Sequence, residues 1–221
     1  MNNPTTGILL QGRISRWTIP IIKEFQKNFP DSEIVLSTWY NENIIDIPCK
    51  IIQSEIPKPT SPIRSTKNYQ IIGCRNGLNA MHADIILKCR SDQFIHNPKI
   101  FEIFQRENAF HKIMYPHLGV RKGSRDYWIE DFCQLSSRET LLDYWNLMPL
   151  DNGRYESPVE IWLTKNYVLK IKKDYRPWSI TKNEYFIEKN YHDDFQIEWE
   201  KIVYIVHYRE TLFRESIYRY F

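Results

Sequence analysis

Four short apolar runs constrain this chain most. They are Ile8-Leu9-Leu10, Ile34-Val35-Leu36, Ile51-Ile52 and Ile85-Ile86-Leu87. Each is too short for a buried helix, and the connections are too long for hairpins. Helical patterns or long polar segments lie between them. Continuous apolar strands joined in this way belong in a parallel sheet covered on both faces. The spacing predicts strands at residues 7–12, 32–39, 49–54 and 83–90. It predicts helices at 18–29, 67–82 and 98–106, with Asn97 capping the last. The face of the first helix is read as Ile19, Ile22, Phe25, Gln26 and Phe29. The helix at 67–82 is weakened by Gly73 and Gly77. Residues 56–66, with three prolines, cannot form a regular element and read as a surface loop.

The second half is less regular. A strand is expected near 109–115, a polar turn at 120–128, and a helix at 138–147. Ser136 and Glu139 form a capping-box pattern at the start of that helix. Another helix is read at 157–170, opened by Ser157-Pro158. Beyond 171 the pattern is unclear, with strands expected somewhere in 195–206. The 221 residues are read as one domain. Residues 6–106 form a ligand-binding half and 107–221 a second half.

Charge excludes some functions. The 30 Lys and Arg face 27 Asp and Glu, and residues 111–221 carry 17 of each sign. Such balance argues against a nucleic-acid partner. A third reading, a nucleic-acid-processing protein, has only the aromatics interleaved with basic residues in the second half to support it. Four cysteines lie at 49, 74, 89 and 133, with no CxxC pair. A reduced, cytoplasmic location is expected. No apolar run approaches the ~20 residues of a membrane span, and no signal peptide is expected. The segment 201–221 is aromatic and slightly basic. It suits an amphipathic helix, with peripheral membrane contact as the alternative.

The chemistry is expected where the strands end, because ligands of open α/β sheets bind there. The first strand runs into Gln11-Gly12-Arg13, the second into Thr38-Trp39, and the fourth into Arg90-Ser91-Asp92. Gly12 would admit close backbone approach. Trp39 would offer a flat face to a base. Arg13 and Arg90 could meet phosphate, and Asp92 could hold a divalent cation. Neither GxGxxG nor GxxxxGK[ST] is present, so dinucleotide and P-loop folds are disfavoured. The combination suits a nucleotide carrying a pyrophosphate.

The runs ILLQGRIS, FPDSEIVLSTW and GLNAMHADIILKCRSDQF, with the later IEDFCQLSS, resemble the WavE-type lipopolysaccharide-synthesis proteins. The resemblance implies a GT-A-like glycosyltransferase with an open, mainly parallel sheet flanked by helices. It also implies sugar transfer from a nucleotide sugar, UDP-linked by default, to a surface glycan or lipid-linked acceptor. GT-A enzymes often carry Mn2+ or Mg2+ on an Asp-x-Asp motif. Here Arg90 replaces the first acid, leaving Asp92 as the expected metal ligand. An inverting transfer needs a base. Asp131 is the first candidate and Glu130 its rival, with Asp126 nearby. A non-catalytic nucleotide- or glycan-binding module with a degenerate site is the alternative.

Overall fold

The computed structural model describes residues 3–117 and 126–199. The 201–221 segment and most of the expected 120–128 turn lie outside them. Strands β1 (Thr6–Gln11), β2 (Glu33–Trp39), β3 (Lys50–Ser54) and β4 (Ile85–Arg90) all run parallel, in the order β3-β2-β1-β4. Helix α1 (Thr18–Asn28) links β1 to β2 and helix α2 (Lys67–Asn79) links β3 to β4, while β2 reaches β3 through residues 40–49 without a helix. After β4 come β5 (Gln93–Ile95) and α3 (Ile100–Glu107).

The second half completes the same sheet. Strand β7 (Gln134–Ser137) pairs antiparallel with β4, and β6 (Ile113–His117) pairs antiparallel with β7. Strand β8 (Phe186–Asn190) is parallel to β6 at the edge. The seven-stranded order is therefore β3-β2-β1-β4-β7-β6-β8. Three further helices, α4 (Arg138–Asn146), α5 (Val159–Asn166) and α6 (Trp178–Tyr185), pack outside it. A π-helical turn, Tyr167–Ile171, extends α5. A second sheet pairs β5 with β9 (Ile197–Trp199).

Both faces of the sheet are covered, as the continuous apolar runs require. On one face Ile8, Leu10, Leu36 and Leu87 meet Ile22 and Phe25 of α1 and Phe101 and Phe104 of α3. On the other, Leu9, Val35 and Ile86 meet Ile71, Cys74 and Leu78 of α2 and Leu141 and Trp145 of α4. The buried stripe of α1 is Thr18, Ile21, Ile22 and Phe25. Ile22, Phe25 and Phe29 of the expected face are buried and Ile19 is half-buried, while Gln26 is exposed and donates to the Pro48 carbonyl at 2.6 Å.

Gly77 belongs in α2 because the helix approaches β1 closely. A Cβ there would lie 2.4 Å from a Leu9 methyl and 3.0 Å from the Ser37 Cβ. Gly77→Ala is expected to cost about 1–3 kcal/mol through overpacking, against the slight gain an exposed helical glycine would give. Urea denaturation reads the sign directly.

Some boundaries differ from expectation. The α4 cap is Ser137, whose Oγ accepts from Thr140 N–H at 3.2 Å. Ser136 is instead a strand residue and donates to the Lys112 carbonyl at 2.6 Å. Asn97 accepts from Lys99 N–H at 2.9 Å and caps the turn before α3. The expected helix at 157–170 splits into α5 and the π-helical turn.

The small sheet has its own fastening. His96 follows β5, and its ring stacks on Phe94. Its Nδ1 lies 2.5 Å from Glu24 of α1, and its Nε2 lies 2.8 Å from Glu198 of β9. Burial works against the imidazolium, but the two carboxylates outweigh it and raise the His96 pKa.

Candidate active site

The four parallel strands end at one sheet edge, and register aligns their exits. Gln11 lies opposite both Ser37 and Arg90, and Trp39 lies opposite Ser54. The exits are bonded to one another. Gly12 N–H donates to the Ser37 carbonyl and Ser91 N–H to the Gln11 carbonyl, both at 3.1 Å. Ser91 Oγ donates to the Arg13 carbonyl at 2.6 Å. Gly12 has φ +140°, and a Cβ there would come within 2.7 Å of Ser91 Oγ. Glycine is what lets the β1 and β4 exits meet.

The two arginines expected near phosphate are both paired. Arg13 is half exposed and lies 3.6 Å from Glu42, whose other oxygen accepts Ile14 N–H at 3.2 Å. Arg90 forks onto Asp92, with Nε to Oδ1 and Nη2 to Oδ2 each at 2.9 Å. The Arg90 side chain is 27% exposed and that of Asp92 only 7%. The guanidinium lies 5.7 Å from the Phe132 ring. Arg90 N–H donates to Gln93 Oε1 at 3.1 Å, a fixing contact that the sequence pattern did not single out.

Thr38 and Trp39 are buried, at 1% and 3% exposure. Trp39 meets Tyr69 edge to face at 5.7 Å, so it forms the floor of this edge and does not present the open stacking face expected of it. Beyond it lies a pocket of about 540 Å³, lined among others by Tyr40, Ser54, Lys58 and Asn76. Tyr40 is 66% exposed there.

The second half brings its acids to the same edge. Strand β7 runs against β4, so residues 129–133 enter it across the β4 exit. Glu130 and Asp131 are 4% and 3% exposed. Burial raises the Glu130 carboxyl; its own amide and His117 oppose this, while Glu188 and Asp131 add to it. Glu188 accepts from Tyr115 at 2.7 Å and Lys182 at 2.6 Å, and lies 3.3 Å from His117. Asp126, the third acid of the segment, is exposed.

Lys88 is the residue that sequence reasoning missed. It lies two positions before Arg90 and is wholly buried. Its Nζ donates to the Asp131 carbonyl at 2.5 Å and lies 5.2 Å from the Trp145 ring. Trp145 Nε1 in turn donates to Gln134 at 2.9 Å. The lysine thus ties the acid-bearing segment to the central strand. A basic residue inside an otherwise apolar strand was the available signal.

A divalent cation at Asp92 fits this arrangement poorly. Among the described residues no three His, Cys, Asp or Glu groups converge to hold a metal. Asp92 already has both oxygens on a guanidinium. A dication on the same carboxylate would sit beside that charge.

Solved structures share the fold. The glycosyltransferase GlyE of Streptococcus pneumoniae TIGR4 superposes with a TM-score of 0.51 at 12% identity, covering 96% of this chain and 51% of that one. Glucosyl-3-phosphoglycerate synthase from Mycobacterium tuberculosis gives 0.50 at 14% identity, covering 85% and 68%. TarS 1-349 of S. aureus gives 0.47 at 10%, and this chain spans 55% of its length. No curated protein matches in sequence. The sheet order and the first two of these neighbours identify the fold as GT-A-like, an open, mostly parallel sheet flanked by helices. The sequence profile for WavE lipopolysaccharide synthesis matches residues 10–172, and the chain belongs to that family.

Proposed function

We propose that this protein is a glycosyltransferase that moves a sugar from a nucleotide sugar, UDP-linked by default, to a surface glycan or lipopolysaccharide-type acceptor. The observation that carries the reading is the convergence on one edge. The β1 and β4 exits, with Arg90, lie beside the segment that carries Glu130 and Asp131 into β7. Gln11, Gly12 and Arg13 would contact the nucleotide, with Thr38 and Trp39 as the floor beneath it. Arg90, Ser91 and Asp92 would face the diphosphate and the donor sugar.

The chemistry follows from charge. The acceptor hydroxyl attacks the anomeric carbon and gives its proton to a carboxylate. The bond from the anomeric carbon to the phosphate oxygen breaks, and the nucleoside diphosphate leaves with the electron pair. Asp131 is assigned as the base of an inverting transfer. Its carbonyl is fixed by Lys88, while its neighbour Glu130 lies towards His117 and Glu188. The Pro-rich loop at 56–66 and the second half would shape the acceptor side. No helix among the described residues is long and apolar enough to cross a membrane.

A thermal-shift and calorimetric screen of nucleoside diphosphates and their sugars tests the reading. One nucleoside diphosphate is expected to bind saturably and raise the melting temperature. At ligand one hundred times Kd, the stabilisation is ~2.7 kcal/mol. Donor binding without transfer to any glycan acceptor would favour the non-catalytic module. No binding of any nucleotide would overturn both readings.

A further inference from the structure

We infer that the cation serving the donor diphosphate is the Arg90 guanidinium, and that donor binding does not depend on a divalent metal. This rests on the nucleotide-sugar reading above and goes beyond it. Three observations carry it.

The first is position. Arg90 is the last residue of β4, in register with Gln11 at the end of β1. It therefore stands where the central strands deliver their ligand-facing groups.

The second is geometry. Asp92 holds the guanidinium through two bonds of 2.9 Å, and Phe132 packs against it at 5.7 Å. Arg90 is thereby fixed before any ligand arrives. The fork uses two of the five guanidinium N–H groups, leaving a rigid cation that can still fork onto phosphate oxygens.

The third is the state of the acid. Asp92 is nearly buried and already neutralised on both oxygens. Among the described residues no second acid joins it in a metal-binding group. The acid of this motif therefore orients the arginine.

The consequence for transfer is electrostatic. As the glycosidic bond breaks, negative charge grows on the diphosphate oxygen that keeps the electron pair. A fixed guanidinium stabilises that charge with little reorganisation.

The experiment titrates UDP, GDP, CDP, ADP and dTDP calorimetrically into the full chain, once in EDTA and once in Mn2+. The nucleotide that binds is expected to have the same Kd within about threefold in both. Arg90→Gln is expected to weaken it roughly ten- to hundredfold, the scale of hydrogen bonds to charged groups. Arg90→Lys, which keeps charge without the fork, is expected to fall between. Asp92→Asn is expected to change the EDTA and Mn2+ titrations by the same factor. Melting curves of each variant confirm that it folds. Binding seen only with Mn2+, or a Mn2+-dependent gain that Asp92→Asn abolishes, would overturn the inference and leave the donor reading standing. No nucleotide binding in either buffer would overturn the donor reading, and this inference with it.

Discussion

Asp151→Ala is expected to lower the melting temperature by roughly 6–20 °C, because it strands a buried ammonium. Lys67 and Asp151 form an ion pair at 3.0 Å, with side chains 4% and 1% exposed. The pair is embedded in further bonds. Asp151 Oδ1 accepts Gly153 N–H at 3.0 Å, and Asn68 clasps the Asp151 backbone at 2.8 and 2.9 Å. Gly153 then accepts Ile63 N–H at 3.2 Å, which fastens the Pro-rich loop. Breaking one side of such a pair typically costs about 3–5 kcal/mol, whereas replacing both partners with apolar groups is often neutral. The double variant Lys67→Met/Asp151→Leu should therefore recover most of the loss. If it recovers nothing, the backbone bonds around Gly153, and not the charge, hold this corner.

The same group sets a pH dependence. Burial works against the Asp151 charge, but the Gly153 N–H and the Lys67 side chain outweigh it and hold the carboxyl below its usual range. A depressed carboxylate contributes stability above its unfolded pKa. That contribution is lost as pH falls through the lower, folded value. The melting temperature of the parent protein should therefore fall more steeply below pH ~4 than that of Asp151→Ala.

Asp131→Asn is expected to reduce sugar transfer by about 10²–10⁴-fold with donor affinity nearly unchanged. Asparagine keeps the shape and cannot take the proton. Glu130→Gln is expected to have the smaller effect. Its carboxyl is raised by burial and interacts with His117 and Glu188. Steady-state transfer with the identified donor measures both. The opposite ranking would move the base to Glu130, whose carboxyl pKa burial raises.

The first half was legible because its physics is local. Ile8-Leu9-Leu10 and Ile85-Ile86-Leu87 are buried on both faces, and such strands announce themselves as unbroken apolar runs. Their polar exits were readable for the same reason. Strand β7 was not, because Leu135 is its one buried apolar residue and the buried positions on either side are Gln134 and Ser136. These are buried polar groups bonded to Trp145 Nε1 and the Lys112 carbonyl. A strand whose burial depends on distant partners carries no local apolar signature. Helix α6 and strand β8 were hidden likewise; Glu188 and Lys189 of β8 find their partners at Tyr115, Lys182 and Glu107.

At the site, residue types were readable and their pairings were not. The sequence placed Arg90 beside Asp92 without showing that the two neutralise each other. It placed Trp39 at a strand end without showing Tyr69 against its ring. Lys88 carried no expectation of its own, and only the fold reveals Asp131 and Trp145 around it.

The small sheet of β5 and β9 carries a further consequence, for the order in which the protein is assembled. Gln93 pairs with Trp199, about a hundred residues away along the chain. Closing a loop of that length costs of order 4 kcal/mol in chain entropy. A three-residue ladder and the His96 clip are what repay it locally. The β1–β4 layer, by contrast, makes its longest pairing, β4 against β1, within the first ninety residues. Strand β5 begins immediately after Asp92, and Gln93 itself accepts the Arg90 amide hydrogen. On a ribosome, β5 beside the donor edge would therefore lack its β9 partner until nearly two hundred residues had emerged. A growing chain would hold its four parallel strands long before it held a finished site.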